Sequence, residues 1–539
     1  MAKRKRQQLV ERQAPPLSSE EPAKAPFLPL TAIVLFILIA LFAMLRLRLL
    51  DLPLERDEGE YAYAGQLILD GIPPYKLVYN MKWPGTYAAY AAIMGIFGET
   101  IPGIRIGLIL VTSATALCLY FLTRRLFGRV AGIVAAAAEL VLSITIAAMG
   151  PYAHATHFVS LAAVAGLMLL MPRNENDRVT LARVIGAGAL LAVAALMKQP
   201  GMFFGLLAAA WLLSMKRFRE TGALAGGASI AMGVSVAILA IAGVFDRFKF
   251  WTIDYARQYV SQNTVAQGME ELKANFGGIF HYTPLMWWIA LAGLVLLFVD
   301  AEARKHWKFV VAFTIAGVLA TMPGLYFRPH YFIVLFPAIA MLNGIAVAAA
   351  SRLVPWRSVP VIAYALAFVI TVGQQWSTLV GMDSMTITRA LYGDNPFPEA
   401  IEIASYIKEH TTLDDRIAVL GSEPEIYFYS GRKSATGYIY TYALMEKQKF
   451  ARHMQDEMIA EIERAKPKYL VTVSVAMSWL VREESDKTIF DWSEKYASSQ
   501  YLLEGIAEIL PSGTQYAWGE DARRYQPKTR SLVMVFRRR

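Results

Sequence analysis

The stretch Glu55-Arg56-Asp57-Glu58-Gly59-Glu60-Tyr61 sets four carboxylates within six residues, directly after a long apolar run. That run, from about Leu28 to Leu45, is roughly long enough to cross the ~30 Å hydrocarbon core of a bilayer. Arg46, Arg48 and Leu50 follow it instead of the small residues of a cleavage site, so it reads as an uncleaved first span. Acids favour the first turn of a helix, and Asp57 reads as the N-cap of a helix through Leu69, with Glu60 at its third position in a capping-box pattern. On such a helix Asp57, Glu60, Tyr61 and Ala64 share one face, and Ala62, Ala64 and Gly65 are small enough for close packing. The plain reading is a solvated helix start. The functional one is a carboxylate held at a membrane surface, suited to taking a proton from an incoming hydroxyl.

Of the 539 residues, 56% are apolar and 18% charged, against about 25% charged in an ordinary soluble domain. This excludes a soluble globular protein, a disordered chain and a nucleic-acid binder. The net charge of +10 matters through its placement, because Lys and Arg collect in cytoplasmic loops of membrane proteins. Residues 1–27 are polar and Pro-rich and begin with Lys3, Arg4, Lys5 and Arg6, which puts this tail in the cytoplasm. After the first span, ten more are expected at about 103–123, 130–148, 158–171, 180–197, 201–215, 222–243, 284–300, 308–324, 331–350 and 358–378. The loops then cytoplasmic carry Arg124-Arg125 and Arg129; Arg173, Arg178 and Arg183; Lys216-Arg217 and Arg219; Arg304-Lys305 and Lys308; and Arg352 and Arg357. All five obey the positive-inside rule. The single cysteine, Cys118, allows neither an intrachain disulfide nor a CxxC motif.

The expected fold is therefore a polytopic α-helical membrane domain over 28–379, with about eleven spans, followed by an extracytoplasmic α/β domain over 380–539. Its first outer loop, 51–102, contains the short apolar run Trp83–Phe97, which reads as a helix lying on the outer surface. The outer loop 244–283 carries Trp251, Tyr255, Tyr259 and Tyr282 with Asp254 and Arg257, and reads as an interfacial belt or lid. In the last domain Ile417–Leu420, Ile426–Tyr429, Tyr469–Val473 and Val533–Phe536 read as strands, and 397–410 and 443–466 as amphipathic helices.

Four cations break the positive-inside pattern: Lys82, Lys198, Arg328 and His330 all fall at outer span ends. Singly, each reads as snorkelling to lipid headgroups. Together, beside a carboxylate-rich loop, they suit a phosphate, with Arg offering bidentate contacts and Lys a point charge. Glu139 is an intramembrane carboxylate, either functional or structural. His154 and His157, at i and i+3, can orient a ligand, but no third metal ligand is evident beside them. Glu423-Pro424-Glu425 reads as a surface turn rather than a site.

The residues Arg56-Asp57-Glu58-Gly59-Glu60-Tyr61-Ala62, Lys82-Trp83-Pro84-Gly85, Arg105, Lys198-Gln199-Pro200-Gly201 and Tyr326–Tyr331 together resemble the GT-C superfamily of membrane glycosyltransferases. The likeness is to its protein O-mannosyltransferase-like and aminoarabinose-transferase-like branch (glycosyltransferase family 39-like). Asp415-Arg416-Ile417 and Gly421-Ser422-Glu423-Pro424-Glu425-Ile426-Tyr427-Phe428 extend it into the outer domain. The resemblance implies a polyprenyl-phosphate-linked sugar donor, used from the extracytoplasmic side with inversion at the anomeric carbon. It implies Asp57 as catalytic base, Glu58 as the neighbouring acid of the same motif and Lys82 as a contact to the donor phosphate. Two departures stand out. A relative has arginine where this chain has Glu60, and many relatives carry a second acid where this chain has His154-Ala155-Thr156-His157.

The expected site is thus Asp57 and Glu58 as catalytic residues and Lys82, Lys198, Arg328 and His330 at the donor phosphate, with Arg56, Glu60, Tyr61, His154, His157 and Tyr331 as accessory residues. No cofactor is expected and no metal ligands are assigned, a divalent metal being left open. The expected partners are a polyprenyl-phosphate sugar, a glycan, lipid or protein acceptor, and membrane lipids, in the plasma (inner) membrane. The alternative function is a transporter or flippase of lipid-linked sugar, which would line a path through the bilayer with polar groups rather than gather them at one face.

Overall fold

A computed structural model describes residues 29–173 and 177–539; the basic tail 1–27 lies outside the described residues. Each of the eleven expected spans overlaps a helix: Leu30–Leu47, Ile101–Phe127, Arg129–Ser143, Ala155–Leu169, Leu181–Met197, Met202–Ser214, Phe218–Ile241, Pro284–Val299, Trp307–Thr321, Phe336–Leu353 and Val359–Leu379. Five of them have at least 18 residues and are apolar enough to cross a bilayer; the others are shorter. Small residues bring neighbours together where backbones touch. A Cβ on Gly188 would lie 2.0 Å from the Leu224 carbonyl oxygen, and one on Gly227 equally close to that of Ile185, so Leu181–Met197 and Phe218–Ile241 meet without side chains between them. Arg46 turns inward and donates to the carbonyls of Gly150 at 3.0 Å and Ser143 at 2.8 Å. Glu139 is buried among the helices.

Between the first two of these helices, Arg56–Leu69 and Pro84–Phe97 form a pair, the second opening with Trp83 as N-cap and Pro84 at its first position. The first of the pair corrects the expected start. Its N-cap is Glu55, not Asp57: the Glu55 carboxylate accepts from the Glu58 amide at 2.9 Å, and Glu58 accepts in return from the Glu55 amide at 3.4 Å. Asp57 is thereby one residue inside the first turn, with its carboxylate free of capping duty.

The C-terminal domain, labelled outer only after its expected side, holds a six-stranded sheet: β1 (Arg416–Leu420), β2 (Lys433–Ser434), β3 (Tyr469–Val473), β4 (Tyr501–Leu510), β5 (Gly513–Trp518) and β6 (Leu532–Arg538). Its order is β2-β1-β3-β6-β4-β5. The pairs β2/β1 and β1/β3 are parallel and the rest antiparallel, with Ile417 opposite Tyr469 and Tyr469 opposite Arg537. Two local expectations fail. Ile426–Tyr429 belongs to a helix, Glu425–Ser430, and 443–466 is broken into Tyr442–Met445 and Ala451–Ala465.

One apolar core runs from Tyr61, Tyr63, Leu67, Tyr87 and Tyr90 on the helix pair into Ile417, Val419, Val471 and Val535 of the sheet. The ring of Tyr63 stacks on Tyr427 at 5.2 Å, and its hydroxyl accepts from the Ser434 amide. The outer domain is thus packed onto the acidic helix rather than tethered beside it. The 244–283 loop is also helical, as Phe245–Lys249, a π-helical turn at Phe250–Tyr255, Ala256–Val260 and Val265–Tyr282. It packs against the first outer loop, where Trp251 stacks on Tyr79 at 6.1 Å, and against the outer domain, where Trp251 meets Tyr438 with ring centres 5.9 Å apart and Tyr255 donates to Glu446 at 2.6 Å.

Candidate active site

The two short motifs of the membrane domain hold each other in place. The backbone of Gly85 lies against Leu196, so close that a Cβ would meet the Leu196 carbonyl at 2.6 Å. Thr86 donates to the Met197 carbonyl at 2.7 Å and Gln199 to the Met81 carbonyl at 2.6 Å. This docking sets Lys82 and Lys198 beside the same helix start.

Lys82 Nζ lies 2.8 Å from Asp57 Oδ1 and 2.8 Å from Glu60 Oε2, which places both acids on one face of the helix, as the spacing predicts. It also sits 4.6 Å from the ring centre of Tyr61 and 5.1 Å from that of Tyr440. Glu60 is fully buried and accepts further hydrogen bonds from Asn80 at 2.7 Å and Tyr87 at 2.5 Å. Burial pushes the Glu60 carboxyl up, against the pull of Lys82 and Tyr87. Burial acts on Asp57 in the same sense, but Lys82 overrides it and holds that carboxyl well below the usual range. Asp57 and Glu60 in turn raise Lys82 above its ordinary value despite its own burial.

Glu58, expected beside Asp57 in catalysis, belongs to a different set of contacts. Its carboxylate is fully buried, paired with Arg105 and hydrogen-bonded by the Ala153 amide. Arg105 also donates to the Leu52 carbonyl at 2.9 Å. A buried carboxylate without its cation is costly, so this pair fixes the entry of the chain into the helix. Arg56 likewise points away from Asp57. It donates to the Ser422 carbonyl at 2.5 Å, Tyr442 Oη at 2.8 Å, Asn395 Oδ1 at 2.9 Å and Glu423 Oε1 at 3.0 Å. The supposed surface turn Glu423-Pro424-Glu425 is therefore buried, and it is the socket into which the acidic helix plugs.

The histidines also regroup. His157 Nε2 lies 3.1 Å from the Gly150 carbonyl oxygen, inside the bundle. His154 stacks instead on His330, with ring centres 4.1 Å apart and planes 12° apart, and His330 Nε2 is 4.0 Å from Asp57 Oδ2. Burial brings the His154 imidazolium down to about 3, so the ring is neutral at physiological pH.

Lys198 Nζ sits 3.7 Å from the ring centre of Tyr331, and the Arg328 guanidinium 5.6 Å from that of Tyr326. Both are half-buried, and among the described residues neither forms an ion pair with a carboxylate. Burial, with the repulsion of Lys82 and Arg328, outweighs the attraction of Asp57 and brings Lys198 down to about 7. Asp57, Lys82, Lys198, Arg328, His330, Glu60, Tyr61, His154 and Tyr331 thus form one neighbourhood, whereas Glu58, Arg56 and His157 support it from behind. Sequence reasoning missed Tyr440 of the outer domain, whose hydroxyl donates to Asp57 Oδ1 at 3.2 Å. The alternation Tyr438-Ile439-Tyr440-Thr441-Tyr442 was the available signal, since an extended segment presents alternate side chains to one side.

Residues 82–241 match the dolichyl-phosphate-mannose-protein mannosyltransferase family. Among curated proteins, none matches the sequence. Among solved structures, the chain is similar to ArnT from Cupriavidus metallidurans bound to undecaprenyl phosphate, at 16% identity and a TM-score of 0.57, over 94% of this chain and 98% of that one. The apo state of the same protein gives 15% and 0.58 over the same shares. The Archaeoglobus fulgidus oligosaccharyltransferase tethered with an acceptor peptide gives 14% and 0.50, over 91% of this chain and 74% of that one. With its apolar helices, its small C-terminal sheet and these likenesses, the chain is an integral membrane protein of the GT-C glycosyltransferase fold.

Proposed function

We propose that the chain is an inverting glycosyltransferase that moves a sugar from a polyprenyl-phosphate donor to a lipid, surface-polysaccharide or protein acceptor. It would work at the extracytoplasmic side of the plasma (inner) membrane, with its N-terminus in the cytoplasm. The observation that carries this is the pairing of one ionised carboxylate, Asp57, with Lys82 beside two half-buried cations, Lys198 and Arg328. A carboxylate beside a ready phosphate site is what this transfer requires. The undecaprenyl phosphate bound by the structurally similar ArnT supports the same donor class.

In the reaction, the bond between the anomeric carbon and the phosphate oxygen breaks while the acceptor oxygen bonds to that carbon from the opposite face. The acceptor's proton passes to Asp57, and the polyprenyl phosphate leaves with the bonding electron pair. Lys82, Lys198 and Arg328 would stabilise the charge that grows on the leaving phosphate through groups already in place. With Lys82 on its carboxylate, Asp57 is a poor base. A donor phosphate draws Lys82 away from it, so donor binding itself raises the basicity of Asp57. Base and phosphate site are coupled through one ammonium group.

The test is transfer by the purified protein from labelled polyprenyl-phosphate sugars. Asp57→Asn should lower turnover by about 10²-fold or more while retaining donor binding, whereas Lys82→Met should weaken donor binding. An Asp57→Asn protein with wild-type turnover would overturn the assignment of the base. Export of intact donor across vesicles without transfer would favour the flippase.

A further inference from the structure

The two connections around β1 run over opposite faces of the sheet. The chain passes from β1 to β2 through the helix Glu425–Ser430, which packs with Ile417 and Val419 on one face. It returns from β2 to β3 through Ala451–Ala465, whose Met454, Met458 and Ile462 pack with Ala418 and Leu420 on the other. The order β2-β1-β3 therefore divides at β1, and these three strands are parallel. In open α/β sheets such a division leaves a crevice outside the carboxyl ends of the strands, and ligands bind there.

This chain has that crevice. A cleft of about 680 Å³ opens at Leu420, the last residue of β1, and at Thr472 and Val473, which end β3. Its size falls within the ~300–1,000 Å³ of small-ligand sites. Thr472, Met534 and Phe536 of the sheet line it and are all half-buried, because the helix Thr488–Gln500 covers this face only in part. The loop after β3 forms a wall. Trp479 donates to the Val473 carbonyl at 2.9 Å and packs on Phe490 with ring centres 4.6 Å apart. The same loop is anchored toward the acidic helix, since Ser478 donates to Glu423 at 2.7 Å and the Met477 carbonyl accepts from Tyr442 at 2.6 Å. The cleft is thus preformed. The Thr472 hydroxyl oxygen is buried at its floor with no hydrogen-bond partner among the described residues, an exception that calls for a physical reason.

We propose that this cleft binds a neutral glycan. A sugar ring is amphipathic: its C–H face packs on apolar side chains while its hydroxyls bond at the edges. The cleft offers both, with Phe490 and Phe536 beside the hydroxyls of Ser474, Ser493, Ser498 and Ser531. Charge points the same way. Arg530 and Glu494, one cation and one anion, are exposed at the cleft, and among the described residues neither forms an ion pair. Their charges cancel, which favours no ionic ligand, and each is a strong partner for a hydroxyl. A lipid chain would leave these polar groups unanswered and gain little, because a bilayer is as apolar as the cleft walls. The inference concerns the C-terminal domain alone and holds whether or not the glycosyl-transfer reading does.

The experiment reads binding, not activity. Full-length protein in phospholipid nanodiscs is screened by saturation-transfer nuclear magnetic resonance against neutral trisaccharides of glucose, mannose, galactose and arabinose. Dihexanoyl phosphatidylglycerol and trialanine represent lipid and peptide, and Kd follows from calorimetry. At least one trisaccharide should bind saturably, once per chain. Arg530→Ala and Glu494→Ala, both at exposed positions, should each weaken it on the order of tenfold, and Ser493→Trp, which fills the cleft, should abolish it. Lys82→Met should bind as wild type, which separates the cleft from the donor site. No saturable trisaccharide binding, or binding that all three cleft variants retain, would overturn the proposal. Binding of the lipid or the peptide in place of the sugars would overturn the glycan assignment. Should Ser493→Trp fail to fold, as judged by gel filtration, the two exposed variants decide.

Discussion

The hydroxyl of Tyr440, on the outer domain, donates at 3.2 Å to the same oxygen of Asp57 that receives Lys82. An outer-domain side chain thus orients the carboxylate assigned as base. Hydrogen bonding to a carboxylate favours its charged form, so removing the hydroxyl should raise the pKa of Asp57. In Tyr440→Phe, kcat should fall about tenfold, the scale of one hydrogen bond to a charged group. The acidic limb of its pH profile should move to higher pH. The quantity to follow is kcat, because it reports the donor-bound complex, in which Lys82 is drawn toward the phosphate. A limb that stays in place would leave Tyr440 as a packing residue only.

The grip of the outer domain on the acidic helix yields a stability prediction. Arg56 is nearly buried against Glu423, which is wholly buried, with three further acceptors around the guanidinium. Arg56→Met leaves Glu423 without its cation, a loss of about 3–5 kcal/mol for a buried pair. The thermal midpoint of the detergent-solubilised protein should drop, and proteolysis should open between the helix Arg56–Leu69 and the segment around Ser422. The double variant Arg56→Met/Glu423→Gln should regain part of the loss, because the uncompensated charge is gone. A double variant no more stable than the single one would argue against the ion pair as the source.

Gly59 offers a narrower steric test of the same contact. A Cβ there would meet the Glu425 amide nitrogen at 2.7 Å and its Cβ at 2.8 Å, both parts of a helix that has little room to move. Gly59→Ala should therefore destabilise by about 1–3 kcal/mol, as overpacking does, even though alanine is the better helix former. A rise in stability, read as the thermal midpoint, would show that the two elements separate more easily than their packing indicates.

The apolar helices were legible because membrane-length runs announce themselves, and the charged loops between them set their order. The acidic stretch was legible as a helix start, but its cap was misplaced by two residues. Capping at Glu55 depends on Glu58 turning back, and Glu58 is held by Arg105, 47 positions away. The Glu423 turn looked solvent-facing for the same kind of reason: its partner, Arg56, is 367 positions distant. Strand β4 was hidden by Glu504, Gly505 and Glu508, which interrupt the alternation, and a register shift between Leu503 and Gly505 accompanies the break. The pairing of His154 with His330 rather than His157 was likewise beyond local spacing, since it needs two helix ends to meet.

Lys198 gives the site a pH dependence with a definite sign. Free of donor, it titrates at about 7, chiefly because it is buried. Below that value it carries the charge a phosphate needs. Above it, donor binding must take up a proton, so the affinity for a polyprenyl-phosphate sugar should fall as pH rises from about 7, by up to about tenfold per pH unit. The donor is a phosphodiester and does not titrate in this window. Lys82 is held above its ordinary range by Asp57 and Glu60, and burial keeps His154 and His330 neutral there. Donor Kd measured from pH 6 to 9 should therefore climb in the wild type. It should be nearly flat in Lys198→Arg, whose guanidinium stays charged throughout. A flat wild-type curve, or an equal slope in the arginine variant, would remove Lys198 from the phosphate site.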